Sequence, residues 1–416
     1  MNKLSNNKVT IESMLGTRRW VPQILGSWEK DAVEVTTAPK HQLPSEISEK
    51  IPLSWEKVMR NVAQEIGVEG EDWRIVEAEP YAKLEVKREF DWGLRMFAGD
   101  QTRIEDYSLD GQTLKLVHSP ANYAESLATN NTDPWGLIMQ YGERTALADG
   151  HAVSVAVTGL TENGREAMQF FRRGEGLGEY GIYIGTAAGN SMKPDMVPFD
   201  IASRELIEES RVMPFIAAYK SMLHESGIVA PNLDLNEYKR IGLASSDFET
   251  VENVNGGRKV RFLDRKENEA YGLLVSEDTK LILTGLALNV DSEDYDTQGN
   301  NKPHHKSEYL FLLKTKLPLE ALNDPQFGWV RNDEHADVLY VPFNLDNLTE
   351  FAVENFKGMM PPTSAVTLTA IRGAFGHGQY LKALNAINSR YSMTEEHPLL
   401  KVIEAKKYTQ PKLLIQ

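Results

Sequence analysis

The chain has 416 residues, of which 41% are hydrophobic and 25% are charged, so it is long enough for two or three folded domains. Its 45 Lys and Arg residues against 60 Asp and Glu residues give a net charge of −15. An acidic surface repels phosphate backbones, which argues against a general DNA- or RNA-binding protein. The chain has no cysteine, so disulfides, cysteine-ligated metals and cysteine nucleophiles are excluded.

The hydropathy of the chain predicts a protein without membrane contact. The chain starts on a polar segment, and no apolar run approaches the ~20 residues that a membrane-spanning helix needs. We therefore expect a cytoplasmic protein.

Residues 1–105 predict a small N-terminal α+β domain. Residues 54–67 have the apolar spacing of an amphipathic helix, with Ser54 as its N-cap, and residues 81–89 predict a strand. Most of the tryptophans lie in this part of the chain, at Trp20, Trp28, Trp55, Trp73 and Trp92. A packed core that buries these rings is the simpler interpretation, and a surface that stacks on a ligand is the alternative.

Residues 106–390 predict a second domain, a mixed sheet packed between helices. Apolar and β-branched runs predict strands at residues 114–118, 152–159, 167–173, 181–185, 248–254, 258–263, 281–290 and 309–316. Helices are predicted at residues 200–212, 363–374 and 379–390, and loops at residues 128–135 and 291–303. Residues 213–280 predict an insertion into this domain, and residues 391–416 a C-terminal tail.

Gly176, Gly178 and Gly181 match a dinucleotide-binding pattern but do not predict such a site. That pattern needs a strand before the glycines and a helix after them, so that pyrophosphate meets a helix N-terminus. Here the glycines are followed by an apolar strand segment at residues 182–184. The sequence therefore predicts a glycine-rich loop that does not bind NAD.

The helix predicted at residues 200–212, with Asp200 as its N-cap, carries a cluster of carboxylates. Residues three and four apart are neighbours on a helix, so Glu205, Glu208 and Glu209 project from one face. A hard divalent cation would remove their mutual repulsion, because such cations prefer oxygen ligands. An ordinary solvated acidic helix surface is the alternative.

Residues 204–212, Arg-Glu-Leu-Ile-Glu-Glu-Ser-Arg-Val, resemble the second half of the Nudix box, the sequence R-E-U-x-E-E-x-G-U in which U is apolar. The order of the predicted strands around them, from residues 152–158 to residues 309–313, is also similar to that of Nudix domains. The resemblance extends over roughly residues 110–385 and is specific at residues 204–209.

The resemblance implies an α/β Nudix-like sandwich that uses Mg²⁺ or Mn²⁺. It implies that Glu205, Glu208 and Glu209 ligate the metal and that Arg204 orients them by a salt link. The closing glycine of the box is Arg211 here, and Arg carries a modest steric cost where a helix ends in the left-handed conformation.

The first half of the box fits only if one extra residue is admitted before Arg204. Without it, the box glycine falls on Asn190 and the first box glutamate on Met196. With it, Gly189 and Asp195 occupy those positions. Asp195 then supplies a shorter metal-ligating carboxylate, and Gly189 shapes the loop that holds metal and substrate.

Further candidate site residues lie outside the box. Arg172 and Arg173 end a predicted strand, and arginine favours bidentate phosphate contacts, although strand alternation turns the two to opposite faces. Glu334, on a late acidic loop, is a candidate general base or else part of an exposed turn. His304 and His305 are interpreted as surface histidines, with a phosphate or metal contact as the alternative.

These observations predict metal-dependent hydrolysis of the pyrophosphate bond in a nucleoside diphosphate linked to another moiety. The expected partner is a small nucleotide substrate, and neither nucleic acid nor membrane is expected to bind. The sequence leaves open whether the protein forms a homodimer. One alternative is a catalytically degenerate Nudix-fold module that binds a nucleotide or a protein partner. Another is a structural subunit in which the acidic helix is only surface.

Overall fold

The computed structural model of the protein describes residues 17, 19–65, 70–87, 92–96, 98–130, 133–142, 146–173, 182–190, 197–213, 248–262, 271–276, 279–290, 294–295, 301–302, 305–324, 326–327, 335–391 and 414–416. Within these ranges, no helix is long and apolar enough to cross a membrane.

The described strands are, in chain order, β1 Trp20–Trp28, β2 Val33–Thr37, β3 Trp73–Val76, β4 Lys83–Lys87, β5 Trp92–Met96, β6 Asp100–Asp110, β7 Thr113–Asn122, β8 Ala152–Leu160, β9 Glu166–Arg173, β10 Tyr183–Ile184, β11 Ala187–Asn190, β12 Val212–Met213, β13 Phe248–Val254, β14 Gly257–Phe262, β15 Tyr271–Val275, β16 Lys280–Asn289, β17 Asp294–Tyr295, β18 Asn301–Lys302, β19 Lys306–Pro318, β20 His335–Pro342 and β21 Leu414–Ile415. The described α-helices are α1 Ser45–Ser48, α2 Ile51–Glu65, α3 Tyr123–Asn130, α4 Pro134–Tyr141, α5 Pro198–Ser210, α6 Leu319–Leu322, α7 Leu345–Glu354, α8 Pro361–Phe375 and α9 His377–Arg390.

A nine-stranded mixed sheet forms the centre of the described structure. Seven strands pair in the order β10–β9–β8–β19–β16–β1–β21, while β11 pairs with β8 and β20 pairs with β9. The neighbours β8 and β19 are parallel, whereas β16 is antiparallel to both β19 and β1. The predicted mixed α/β architecture is therefore present.

Side chains from both faces of the central sheet are buried, which is why its strands read as continuous apolar runs. In β8, Val153 and Val155 face one hydrophobic core and Ala156 faces the other. In β19, Phe311 and Leu312 divide between the two cores in the same way. Successive strand residues point to opposite faces, so each strand contributes side chains to both cores.

Helices cover the two faces unequally. On the first face, α5 packs through Phe199, Ile201, Ala202 and Leu206. On the second face, α7, α8 and α9 contribute apolar residues to a second core, among them Leu348, Leu368 and Leu384. The first face is also covered by the small sheet β2–β7–β6, through residues such as Leu114 and Leu116.

The described strands cross the domain boundary that the sequence predicted at residue 105. Strand β6 runs through that position and pairs with β7, and β1 pairs with β16 inside the central sheet. Trp20 and Trp28 are accordingly buried in the two central cores, while Trp55 is buried in a separate cluster between α2, α3 and β4. The physical reason is that β16 would otherwise present unpaired backbone groups along its edge.

Two local predictions were wrong. Residues 128–130 and 134–135, predicted as parts of a loop, lie in α3 and α4. Helix α4 begins with Pro134 and is capped by Asp133, whose side chain accepts a hydrogen bond from Gly136 N at 2.9 Å. Ser54 is not the N-cap of α2, since the helix begins at Ile51 and Ser54 N donates to Lys50 O at 3.0 Å.

The predicted insertion and tail both supply strands. Strands β13, β14 and β15 lie in the described part of residues 213–280 and form the sheet β12–β15–β14–β13, in which β12 follows α5 almost at once and runs parallel to β15. At the other end of the chain, β21 pairs in parallel with β1. Residues 414–415, within the segment predicted as a tail, therefore extend the central sheet.

Candidate functional site

Strands β8 and β9 pair over only part of their length, and the short strands β10 and β11 lie between the parts that separate. Helix α5 follows this short segment in the chain. Residues 157–160 of β8 pair with β9, whereas residues 152–155 pair with β11. Strand β10 pairs with the end of β9, so the segment from β10 to β11 fills the gap between the two diverging strands. Because β8 and β9 are antiparallel, Asn190, at the end of β11, lies at the same end of the sheet as Arg172 and Arg173.

Helix α5 has defined ends. Pro198 occupies its first turn, where the fixed φ of proline suits a helix start. Asp200 is not the N-cap predicted from the sequence; Val197 is, and Asp200 lies in the first turn, where its Oδ1 accepts from Lys30 Nζ at 2.5 Å. The helix ends at Arg211, with φ 53° and ψ 19°. This residue therefore holds the left-handed conformation that glycine usually supplies at a helix end.

Gly189, Glu205 and Arg204 form the centre of the candidate site. A Cβ atom at position 189 would overlap the carboxylate of Glu205, so a side chain at this point of β11 would displace that carboxylate. Arg204 is ion-paired with Glu205, and its Nη2 donates to Asn190 O at 2.9 Å. Arg204 and Glu205 are only 5% and 6% exposed, so a matched pair offsets the cost of burying either charge.

Glu209 binds the same strand one helical turn later. Its Oε2 accepts a hydrogen bond from Ala188 N at 3.2 Å, and its side chain is half-buried. Glu205 and Glu209 thus both face β11, as expected for residues four apart on a helix. The side chain of Glu208 and the whole of Asp195 lie outside the described residues.

The donor atoms around β11 suit a hard cation. Two carboxylates, from Glu205 and Glu209, contact this strand, and oxygen is the ligand that Mg²⁺ and Mn²⁺ prefer. Asn190 adds a buried Oδ1 that has no hydrogen-bond partner among the described residues. In the described part of the chain, no three His, Asp or Glu side chains are grouped to hold a metal ion.

The two arginines at the end of β9 differ in surroundings. Arg172 is exposed, and its guanidinium lies 5.4 Å from the centre of the Tyr183 ring. Arg173 is half-buried, and its Nη1 lies 3.8 Å from Met360 Sδ. Arg172 is therefore the more accessible of the two at this end of the sheet.

His305 is not the surface residue that the sequence suggested. It is 2% exposed, and its Nδ1 lies 3.4 Å from Asp149 Oδ2. Its ring lies edge-on to that of Trp135, at an interplanar angle of 70° and a centroid distance of 5.6 Å. Pairing with the half-buried carboxylate of Asp149 and packing on a tryptophan explain why a polar residue lies inside. His304, Glu334 and the three glycines of the dinucleotide-like pattern lie outside the described residues.

Sequence reasoning missed a buried cluster of rings close to the start of β8. His118 Nε2 and Tyr309 Oη are 2.9 Å apart, and the His151 ring lies 4.8 Å from that of His118 and 5.1 Å from that of Tyr309. Burial, followed by the repulsion of His118, holds the pKa of His151 well below its usual range. The three residues come from distant parts of the chain, so no local pattern signals their contact.

Glu308 is a second buried titratable group that the sequence did not reveal. It lies opposite Ala152 in the β19–β8 pairing. Burial raises its pKa to about 7, against the opposing effect of Lys306, whose Nζ is 3.9 Å from the carboxylate. A single acidic residue inside an apolar strand was the only available signal.

Comparison with known proteins gives little support for a family. No protein-family model matches the chain, and no curated protein matches it. Among solved structures, the crystal structure of a Nudix hydrolase from M. Smegmatis, RenU, overlaps 59% of this chain and 89% of its own, with 9% sequence identity and a TM-score of 0.24. A TM-score of this size establishes neither a shared fold nor a shared activity.

Proposed function

We propose that the protein is a Nudix-type hydrolase that cleaves the pyrophosphate bond of a nucleoside diphosphate linked to another moiety. The observation that carries the proposal is the contact between Gly189 and Glu205. The sequence aligned Gly189 with the box glycine and Glu205 with the first carboxylate of the box helix. These two positions, separated along the chain, are neighbours, and a side chain at position 189 would displace the Glu205 carboxylate.

The same contact supports the alignment that includes one extra residue. That alignment assigns the first carboxylate of the box to Asp195 and leaves Asn190 just after the glycine. The Asn190 carbonyl accepts from Arg204, the first residue of the helical half of the box. Both halves of the box are thus linked through Arg204, which also holds Glu205 in place.

The proposed division of labour follows from these contacts. Glu205, Glu208, Glu209 and Asp195 would hold Mg²⁺ or Mn²⁺. When bound, such a cation neutralises phosphate charge and lowers the pKa of a bound water. Arg204 fixes the carboxylate of Glu205, and the backbone of β11 positions that of Glu209.

Substrate would be held beside this group. Because Gly189 has no side chain, a substrate could approach the backbone at the end of β11 closely. A Cβ atom at this position would contact Glu205. Arg172 is exposed at the same end of the sheet and offers a guanidinium to phosphate oxygens, and Arg173 lies next to it with less exposure.

A second candidate function is a nucleotide-binding or protein-binding module without catalysis. One observation favours it: Glu205 and Glu209 already have protein partners, an arginine and a backbone N–H. A carboxylate with such partners does not need a metal to offset its charge. This alternative predicts nucleotide binding without turnover.

Incubation with a panel of substrates separates the two functions. The panel contains ADP-ribose, a dinucleotide, a nucleotide sugar and a nucleoside triphosphate, each with Mg²⁺ and with Mn²⁺. Release of a nucleoside monophosphate that requires the cation supports the hydrolase. Tight binding of one of these compounds with no product after prolonged incubation supports the binding module.

A further inference from the structure

Three buried polar rings join the small sheet β2–β7–β6 to the central sheet. His118 lies on β7 and Tyr309 on β19, and His151 directly precedes β8. His118 Nε2 lies 2.9 Å from Tyr309 Oη, and the centre of the His151 ring lies 4.8 Å from that of His118 and 5.1 Å from that of Tyr309. All three residues are 0% exposed. They are called the His118–His151–Tyr309 cluster below, and any separation of the two sheets must break it.

The backbone directly before β8 is held by β6, an edge strand of the small sheet. His151 N donates to Thr102 O at 2.8 Å, and Gly150 forms an antiparallel bridge with Arg103. Asp149 has a φ of 33°, in the left-handed region that residues with a side chain rarely adopt. Such a conformation persists only where surrounding contacts impose it. The contacts with β6 therefore hold this segment in a strained state, which relaxes when they break.

The surroundings of His151 disfavour a proton on its ring. Neither ring nitrogen makes a hydrogen bond within the described residues. Burial is the main cause of the lowered pKa of His151, and the repulsion of His118 is the second. Lys306 adds to this effect, and a carbonyl of β6 opposes it. Tyr309 stays neutral, because burial, followed by the effect of Tyr107, raises its pKa. A proton on His151 would thus place a buried charge among neutral and cationic groups.

The carboxylates on neighbouring segments are directed to other groups. Asp149 Oδ2 lies 3.4 Å from His305 Nδ1. Both carboxylate oxygens of Glu105 accept from Arg103 Nη1 at 2.8 Å. Glu308 directly precedes the tyrosine of the cluster in β19, so its side chain points to the opposite face of the central sheet. None of these three carboxylates is therefore placed to neutralise a proton on the cluster.

The cluster lies on the face of the central sheet that carries α5. Tyr309 belongs to the same hydrophobic core as Leu206 of α5. Ala152, the residue that follows the histidine of the strained segment, pairs with Asn190 at the end of β11. A displacement of this segment would therefore start one residue away from the pairing that holds β11 beside α5.

We propose that the His118–His151–Tyr309 cluster is an acid-sensitive contact, at which β6 and β7 separate from the segment before β8 when the pH falls, while the rest of the central sheet stays folded. The opened state hydrates the protonated ring of His151 and releases the strained backbone of Asp149. Closure at neutral pH is favoured by the apolar residues that the small sheet buries, such as Leu114 and Leu116. This opening does not require the proposed hydrolase activity.

Hydrogen exchange of the full chain, followed peptide by peptide at pH 7 and pH 5, tests this opening. Labelling times are adjusted so that intrinsic chemical exchange is equal at the two pH values. Protection of the β6 and β7 amides should fall by about 10- to 25-fold at pH 5, the upper figure being the limit for one histidine with a pKa of 6.5 in the opened state. Protection of the β9 and β20 amides should stay the same.

Two variants test whether His151 is the group that takes up the proton. His151→Leu and His151→Gln cannot be protonated, so the fall in protection of β6 and β7 should disappear in both. The control His377→Leu removes a partly buried histidine at the start of α9 and should keep the fall.

Each outcome decides one point. Unchanged protection of β6 and β7 between the two pH values would overturn the proposal, and so would an equal fall in β7 and β9, which indicates unfolding of the whole chain. A fall that persists in a folded His151 variant would assign the acid sensitivity to another group and contradict the role of the cluster. The comparison between strands uses the wild type alone, so it decides the point even if neither variant folds.

Discussion

Gly189 of β11 and Glu205 of α5 lie so close that an added methyl group would overlap the carboxylate. The substitution Gly189→Ala must therefore displace the buried carboxylate from its place beside Arg204, and overpacking of this kind typically costs about 1–3 kcal/mol. We expect a loss of that order in the free energy of unfolding, measured by urea denaturation. Gly378→Ala in α9 is the control, because nothing lies near a Cβ there, and it should be neutral or slightly stabilising. Equal effects at the two positions would contradict the contact.

The buried pair Arg204 and Glu205 should show strong energetic coupling. Arg204→Met leaves the Glu205 carboxylate buried without its cation and should cost about 3–5 kcal/mol, and Glu205→Leu should cost a similar amount. The double variant should cost clearly less than the sum, because no charge is then left alone. The measurement is a double-mutant cycle in urea. Additive losses would show that the ion pair does not link the two side chains.

Glu209→Gln tests the proposed metal site without removing a core residue. The amide can still accept from Ala188 N, so stability in EDTA should change little, whereas an amide is a poor ligand for a hard cation. The increase in melting temperature caused by Mg²⁺ should therefore shrink, because a cation stabilises only the state that binds it. Glu350→Gln, on the exposed side of α7, is the control and should keep the full response. An identical Mg²⁺ response in all three proteins would contradict the metal-site assignment.

Glu308 should make the protein less stable as the pH rises. Burial raises its pKa to about 7 in the folded chain, above the ordinary value of 4.5, so proton binding favours the folded state. This contribution is fully present below about pH 4.5 and is lost as the pH rises through about 7. The shift corresponds to about 3 kcal/mol between these limits. Glu308→Gln, compared with wild type by urea unfolding at pH 5 and pH 8, should gain stability relative to wild type at the higher pH; parallel pH dependences would contradict the shift.

The titration of His151 should have the opposite effect on stability: the protein should become less stable as the pH falls. Its pKa in the folded state is held well below 6.5 by burial and by His118, so the unfolded chain binds the proton more tightly. The stability contribution is present above pH 6.5 and is lost as the pH falls towards the folded pKa. His151→Leu should therefore flatten the loss of stability between pH 7 and pH 5, as measured by thermal melting. His377, which is only partly buried, is the control, and His377→Leu should flatten it less.

The local periodicity of apolar residues was sufficient to predict many of the strands and helices of the fold. The apolar runs that became β8, β16 and β19 were visible because both faces of these strands are buried, and the amphipathic spacing of α5 placed that helix within two residues of its observed start. Residues 134–135 were misread because Asn, Thr and Pro suggested a loop, whereas Asp133 and Pro134 start a helix. At the start of a helix, Asp and Pro favour helix formation instead of a loop.

The candidate site was only partly accessible to sequence reasoning. The spacing of Glu205 and Glu209 placed both on one helix face, and the structure brings both to β11. Which residue aligned with the box glycine was ambiguous by one position, since Gly189 and Asn190 are adjacent and only a spatial contact distinguishes them. The pairing of His118 with Tyr309 depends on strands far apart in the chain, and local patterns carry no information about such contacts.

The pairing of β1 with β16 has a consequence for biosynthesis. Trp20 lies opposite Asn289, so the first strand of the central sheet leaves the ribosome about 270 residues before its partner. At roughly 5–20 residues per second, that interval lasts roughly 15–50 seconds. During it, Trp20, Leu25 and Trp28, all buried in the finished protein, have no sheet to join. The nascent chain therefore presents an apolar strand to other chains and to chaperones for most of its synthesis, and the yield of folded protein should depend on how well that strand is shielded.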